Sequence, residues 1–212
     1  MSALRLVVYS DFLCPWCWNA ATRLASVQRQ LDGALELEWR SYLLRPHAQP
    51  GRDLEKFRAY TQSWLRVAED EPRAPFRVWS SDAGPPSHSV PAHVVAKAAS
   101  ALGGEAGARM RDRLFRAYFA ENRDISDAAT LRALWGEAEL PDAAFPRPDD
   151  PVLARAVLAD HQEAQDLGAT GVPAVRLADQ DFVLVGAQPE AVYLKWLRRA
   201  LDAQIASEPA SR

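Results

Sequence analysis

The chain has 212 residues, 48% of them hydrophobic, with 25 Lys or Arg against 28 Asp or Glu and a formal net charge of -3. That is enough apolar material for a substantial core, as one large domain or a domain with an insert, and the charge balance gives no electrostatic case for nucleic acid or an anionic membrane. No apolar run approaches the roughly 18 residues needed to span a bilayer, and LRLVVY at 4–9, followed at once by Asp11, is too short for a signal-peptide core, so a cytoplasmic protein is expected.

Leu4 to Tyr9 is a β-branched, apolar run of strand length, and Ser10-Asp11 carry a turn or helix-capping signal. A helix is predicted next. From Cys17 the positions Cys17, Ala20, Ala21, Leu24, Val27 and Leu31 recur at i, i+3, i+4, i+7, i+10 and i+14, one face of a helix. The stripe puts Cys17 on the buried face. Cys14 sits one turn earlier, at the helix N-terminus, where orphan backbone N–H groups and the positive end of the macrodipole favour a thiolate. Pro15 suits the first turn, since its φ is preset and the N–H it lacks would have had no helical partner. Residues three apart on a helix hold their Cβ atoms about 5–6 Å apart, which modest adjustment closes to S–S bonding range. Cys14-Pro15-Trp16-Cys17 contains the only two cysteines of the chain and reads as a redox dithiol, Cys14 attacking and Cys17 resolving.

Ala34 to Leu44 alternates Leu35, Leu37 and Trp39 against Glu36, Glu38 and Arg40, the pattern of a half-buried strand. From Asp53 to about Glu139 the period is helical. One segment carries Leu54, Phe57, Thr61, Trp64 and Ala68, a second Val90, Val94, Ala98 and Ala101, a third Met110, Leu114, Ala117 and Tyr118. A fourth, with Leu131, Leu134 and Trp135, follows the capping pair Ser126-Asp127. Proline-rich stretches at 82–91 and 141–151 punctuate this block. Val152 to Leu167 is predicted helical and stopped by Gly168, which can take the left-handed C-cap conformation. Ala174–Leu177 and Phe182–Val185 are expected to pair as a hairpin around 178–181, and Pro189 to open a final helix at its first position. With the helical block removed, the order is β-α-β-α-β-β-α.

Two other readings of the cysteine pair carry less. A zinc site would need further ligands from His47, His88, His93 or His161, and the proline inside the motif removes a backbone donor that zinc knuckles use. A structural disulfide here would close too short a loop to constrain the unfolded chain much. Elsewhere, His93 is expected to be packed rather than catalytic, Arg45-Pro46-His47 to be a loop, and Arg109, Arg111, Arg113 and Arg116 to face mostly solvent. Trp64, Trp79, Trp135 and Trp196 are expected in the core, and Trp18 at the surface or a domain interface.

The element order, with CPWC opening the first helix and Gly171-Val172-Pro173 entering the penultimate strand, resembles the DsbA-like elaboration of the thioredoxin fold, most closely its cytoplasmic FrnE-like branch. The matching stretches are YSDFLCPWCW at 9–18, LFRAYFAENRDIS at 114–126, ATGVPAV at 169–175 and VGAQP at 185–189. The resemblance implies an α/β thioredoxin-like fold with a central mixed sheet, formed by 1–48 and 150–206, an all-helical insertion at 49–149, and a disordered tail at 207–212. It implies Cys14 as nucleophile, Cys17 as resolving thiol and Pro173 as a cis-proline facing them. Val172, Pro173, Pro15 and Trp16 would then contact substrate, the Val172 backbone pairing with an extended peptide by strand addition. The family's buried carboxylate, six residues before the first cysteine, is replaced here by Val8. Asp11 is expected to cap the helix, with proton transfer through water as its other possible role. Trp16 stands where DsbA proper has a histidine that favours the thiolate, so a less oxidising couple is expected. The function implied is a thiol-disulfide oxidoreductase or isomerase on protein or small disulfides, monomeric or homodimeric, with no metal and no bound cofactor beyond the Cys14–Cys17 disulfide, and with glutathione as an eligible co-substrate. The alternative is a glutathione-dependent isomerase or transferase resembling 2-hydroxychromene-2-carboxylate isomerase, although relatives of that kind carry serine at the first motif position.

Overall fold

Strand β1 (Leu4–Ser10) runs down the middle of the molecule and is apolar nearly throughout because both of its faces are covered. Leu6 and Val8 face one layer, Val7 and Tyr9 the other. The computed structural model describes residues 3–147 and 149–207; the expected C-terminal tail lies, but for Ser207, outside the described residues. After β1 come α1 (Pro15–Gln30), β2 (Leu35–Ser41), α2 (Leu54–Thr61), α3 (Trp64–Asp70), α4 (Val90–Ala101), α5 (Gly104–Phe119) and α6 (Ala128–Glu137). A 3-10 turn at Asp142–Ala144 leads to α7 (Pro151–Asp166), β3 (Ala174–Leu177), β4 (Leu184–Val185) and α8 (Glu190–Ser207).

The sheet order is β2-β1-β3-β4. β1 and β2 are parallel, Leu4 opposite Leu35 and Ser10 opposite Ser41, while β3 is antiparallel to β1 with Val8 opposite Val175. Helices α1 and α8 cover one face, where Leu24, Val27, Tyr193 and Leu197 meet Leu6, Val8 and Val175. α1 contains several middling helix formers, each about 0.5 kcal/mol poorer than alanine, but burying Leu24 and Val27 contributes about 1.5–3 kcal/mol apiece and outweighs that. The other face carries α7, with Ala164 against Val7, Tyr9 and Ala174. Leu167 caps α7, and Gly168, at φ +80°, turns the chain back toward the sheet.

Helices α2 to α6 form the insertion, whose aromatic core of Trp64, Trp79, Phe115, Phe119 and Trp135 also takes in Phe12, Leu13, Cys14, Cys17 and Trp18. The cysteine pair is therefore buried where sheet and insertion meet. Trp18 is an interface residue rather than a surface one, its ring against Phe76, Phe115 and Phe119.

Three elements differ from expectation. The helix expected across Leu54–Ala68 is two, because Thr61 Oγ1 and Ser63 Oγ each donate to a carbonyl three residues back while Thr61 Oγ1 accepts the Trp79 N–H of a returning loop. The strand expected at Phe182–Val185 shortens to Leu184–Val185, since Arg176 Nη1 donates to the Ala178 and Gln180 carbonyls and holds that segment as a turn. Pro189 precedes α8 instead of opening it, its carbonyl accepting from the Val192 and Tyr193 N–H groups. Trp196 is half-buried, whereas Trp64, Trp79 and Trp135 are fully enclosed.

Candidate active site

Cys14 is the N-cap of α1 with extended backbone (φ -96°, ψ 114°), and Pro15 follows inside the first turn. Its own N–H donates to the Asp11 carbonyl, and its carbonyl accepts the Cys17 N–H, both at 3.1 Å. Both cysteines are free thiols, Cys14 5% exposed and Cys17 wholly buried. Burial and the adjoining Cys14 sulfur push the Cys17 thiol well above the usual cysteine range. The two sulfurs are thus unequal, with one at the rim and the other sealed beneath it.

Across the cleft, the Val172–Pro173 bond is cis, and Cys14 Sγ donates to the Val172 carbonyl at 3.4 Å. The Val172 N–H has no hydrogen-bond partner among the described residues. Cys14, Cys17, Val172 and Pro173, distant in sequence, come together; Pro15 is half-buried beside them, and Trp16, 39% exposed, stands at the edge.

Asp11 corrects the sequence reading. Its carboxylate caps no helix: Oδ1 accepts from Leu13 N at 2.7 Å, and Oδ2 from Leu44 N at 2.6 Å and Ser89 Oγ at 2.7 Å. It clamps the loop carrying Cys14 to the chain after β2 and to the start of α4. Fully buried, it is pushed up to about 6, burial outweighing those three hydrogen bonds. His93 lies 4.0 Å from Oδ1 and packs on Phe12, and burial pulls it down to about 3, so it is a neutral packed residue as expected. The arginine run divides. Arg109 and Arg116 are exposed, but Arg113 pairs with Glu121 and Glu137, and Arg111 lies over the Trp39 ring, 4.0 Å from its centroid, where burial lowers it to about 10.

A pocket of about 480 Å³ opens beside the Cys14 loop, lined among others by Leu13, Arg45, Arg52, Lys56, Tyr60 and Tyr118. It lies beyond the C-terminal ends of the parallel strands β1 and β2, where open α/β sheets bind ligands. Arg45 donates to Gln49 and Arg52 to the Pro86 carbonyl, neither to a carboxylate, and the charge of Arg45 helps burial lower Arg52. The loop reading of 45–47 carries no hint of this, although Arg45, Arg52 and Lys56 against Asp53 and Glu55 leave an excess of one cation visible by counting. Among the described residues no three His, Cys, Asp or Glu side chains gather as a metal site, and no helix is long and apolar enough to cross a membrane.

A mixed four-stranded sheet carrying a Cys-x-x-Cys pair at the start of its first helix, a cis-proline opposite and a helical insertion defines a thioredoxin-fold protein of the insertion-bearing kind. The family model of the DSBA-like thioredoxin domain matches residues 5–198, and the chain belongs to that family. Among solved structures it is similar to the cytosolic disulfide reductase DsbM from Pseudomonas aeruginosa, with TM-score 0.73, 24% identity, and coverage of 97% of this chain and 100% of that one. DsbM has also been solved with GSH. A structure described as a probable DsbA oxidoreductase from Streptomyces coelicolor is 27% identical, with TM-score 0.73 and coverage of 99% and 93%. A 2-hydroxychromene-2-carboxylate isomerase shares the fold at 17% identity, with TM-score 0.67 and coverage of 97% and 100%. No curated protein matches by sequence.

Proposed function

We propose that the chain is a cytoplasmic thiol-disulfide oxidoreductase of the FrnE-like branch, working through a mixed disulfide at Cys14. The observation that carries this reading is the inequality of the two thiols, Cys14 at the rim against Val172 and Cys17 enclosed behind it. In the reducing direction the Cys14 thiolate attacks one sulfur of a substrate disulfide, and the other leaves as a thiolate. Cys17, deprotonated, then attacks the Cys14 sulfur, releasing the second substrate thiolate and leaving a Cys14–Cys17 disulfide, so two electrons have passed to the substrate. An external thiol restores the dithiol. The free Val172 N–H suits an extended peptide, and the pocket at Arg45, Arg52 and Lys56 suits a small anionic disulfide, which makes glutathione a fitting co-substrate. Pro15 and Trp16 flank the same cleft. We place the insertion at 49–149.

The test is capture. In Cys17→Ser, Cys14 holds its partner as a mixed disulfide, and mass spectrometry after reduction identifies it; a spread of proteins, or glutathione together with catalysed disulfide reduction, is the expected result. No adduct, or full reductase activity in Cys14→Ala, overturns the proposal. The isomerase reading is supported by the likeness to 2-hydroxychromene-2-carboxylate isomerase. It predicts glutathione bound without consumption and activity that survives Cys17→Ser.

A further inference from the structure

A cavity of about 30 Å³ lies where β1, β2, α4 and α5 meet, and its wall carries three cations, Arg40, Lys97 and Arg111, and, among the described residues, no Asp or Glu. Arg40 is matched by Glu38 and Glu163, and Lys97 by Asp160 at 2.6 Å. Arg111 is not matched. Its guanidinium lies over the Trp39 ring and makes no hydrogen bond or ion pair among the described residues, while Asp112, the acid that acts on it, pairs with Arg116 at 3.5 Å. It stays charged at neutral pH, because burial lowers it only to about 10. Three further atoms of the wall, Ser10 Oγ, Trp39 Nε1 and His93 Nε2, are buried with no hydrogen-bond partner among the described residues, and Ser10 and His93 are 6% and 4% exposed.

The chemistry of this wall is one-sided. The Arg111 guanidinium and the Trp39 N–H only donate, and the Ser10 hydroxyl can donate with them. Water carries no charge, so it would hydrate these groups and leave the guanidinium unneutralised. A carboxylate or similar oxyanion accepts from all three and supplies the missing charge, with the fork of an arginine well shaped for it. The volume agrees, since one water needs roughly 10–15 Å³ and the cavity therefore has the space of about two oxygen atoms, as in one carboxylate group. The field of the cations is felt at His93, which the Lys97 charge helps burial to keep neutral.

Trp39, Ser100, Gly107 and Arg111 also line a wider surface pocket of about 520 Å³, which gives the cavity an entry between sheet and insertion. Glu36, Glu38 and Glu105 stand in that outer pocket, so the part of a molecule lying there meets negative charge. Neither Cys14, Cys17, Val172 nor Pro173 lines the cavity, and it shares no lining residue with the pocket at Arg45 and Arg52. We propose that this cavity is a second binding site, separate from the dithiol cleft, that takes one carboxylate-sized oxyanionic group on Arg111, Trp39 and Ser10. Where that group ends a larger molecule, the remainder is neutral or positively charged.

The test is calorimetric titration of the full chain at constant ionic strength with sodium formate, β-alanine, succinate and sulfate as probes. Formate and β-alanine are expected to bind one per chain, and succinate at least about ten-fold more weakly, because its second carboxylate faces the outer glutamates. Binding of β-alanine assigns the group to an organic acid; formate or sulfate binding with β-alanine excluded assigns it to a free anion, and both support the site. Arg111→Met, which keeps an unbranched stem over Trp39, should weaken formate about 10–100-fold, and Trp39→Phe and Ser10→Ala about three- to ten-fold each. Formate should also raise the melting temperature of wild type and not that of Arg111→Met, since the anion binds only the folded chain. Should Arg111→Met fail to fold, Trp39→Phe and Ser10→Ala carry the test. No saturable binding of any probe up to about 100 mM, which marks ordered water only, overturns the proposal, as does unchanged formate affinity in the variants. Succinate binding as tightly as β-alanine overturns the selection against a second negative charge.

Discussion

Replacing Asp11 by alanine separates the two opposing effects that meet in its carboxylate. The change strands three donors, Leu13 N, Leu44 N and Ser89 Oγ, at about 1–3 kcal/mol each. It also removes the cost of holding a buried charge, which for a carboxyl raised from 3.8 to about 6 is about 3 kcal/mol at neutral pH. Taking the middle of the first range, the net loss at pH 7 is about 3 kcal/mol. The pH dependence is the sharper quantity, because water entry and local relaxation in the variant largely cancel between conditions. Folded Asp11 binds its proton more tightly than unfolded Asp11, so its contribution to stability is fully present below about 3.8 and is lost as pH rises through about 6. The alanine variant has no such contribution, and the stability gap should therefore widen by about 2 kcal/mol from pH 7 to pH 4. Urea melts of both proteins at pH 7, 5.5 and 4 measure it. A gap that stays constant or narrows toward pH 4 would show that the three hydrogen bonds win over burial and that Asp11 is an ordinary ionised clamp.

Arg23 on α1 donates to Glu71 at 3.0 Å, Asp70 at 2.6 Å and the Gln188 carbonyl at 3.1 Å, and Glu71 is buried beside it. Arg23→Ala should cost about 3–5 kcal/mol in urea unfolding, and a loss below 1 kcal/mol would contradict a buried, mutually dependent pair. A Cβ at Gly107 would stand 2.7 Å from Ser100 Oγ and 3.1 Å from Ser100 Cα, so Gly107→Ala should destabilise by about 1–3 kcal/mol in thermal melts. An unchanged melting temperature would show that α4 and α5 can part freely. Arg45→Gln with Arg52→Gln should lower kcat/KM for glutathione disulfide by about ten-fold and leave neutral hydroxyethyl disulfide unaffected. Equal effects on both substrates would remove the pocket from anion recognition.

Elements whose burial follows a regular period along the chain were legible in the sequence. β1 reads as continuous apolar residues because both faces are covered, and the stripe through Cys17, Leu24 and Val27 marks α1 because a single core lies beneath it. The break between α2 and α3 was not legible, since it depends on the Trp79 N–H reaching Thr61 from 18 residues away. Asp11 illustrates the same limit at the site. Beside a helix start it has the composition of a cap, yet its partners Leu44 and Ser89 lie 33 and 78 residues on, and only folding brings them to it. Ser10 reads in the sequence only as part of a turn or helix-capping signal, and that its hydroxyl is left unpaired depends on the side chains that folding brings around it.

The placement of the cysteines gives the two parts of the molecule separate roles. β1 and α1 set the spacing and exposure of the pair, as they would in a bare thioredoxin fold. The insertion sets their surroundings: Phe12, Leu13, Cys14, Cys17 and Trp18 join the aromatic core of α2 to α6, and the Asp11 clamp ties that loop to Ser89 at the head of α4. Burial that raises the Cys17 thiol is contributed in large part by side chains outside the motif. Proteins with the same four motif residues can therefore differ in how readily the second thiol ionises, according to what their inserted helices pack against it. In this chain Val8 supplies no proton acceptor from β1, and the seam between sheet and insertion holds the unpartnered Ser10, Trp39 and His93 side chains.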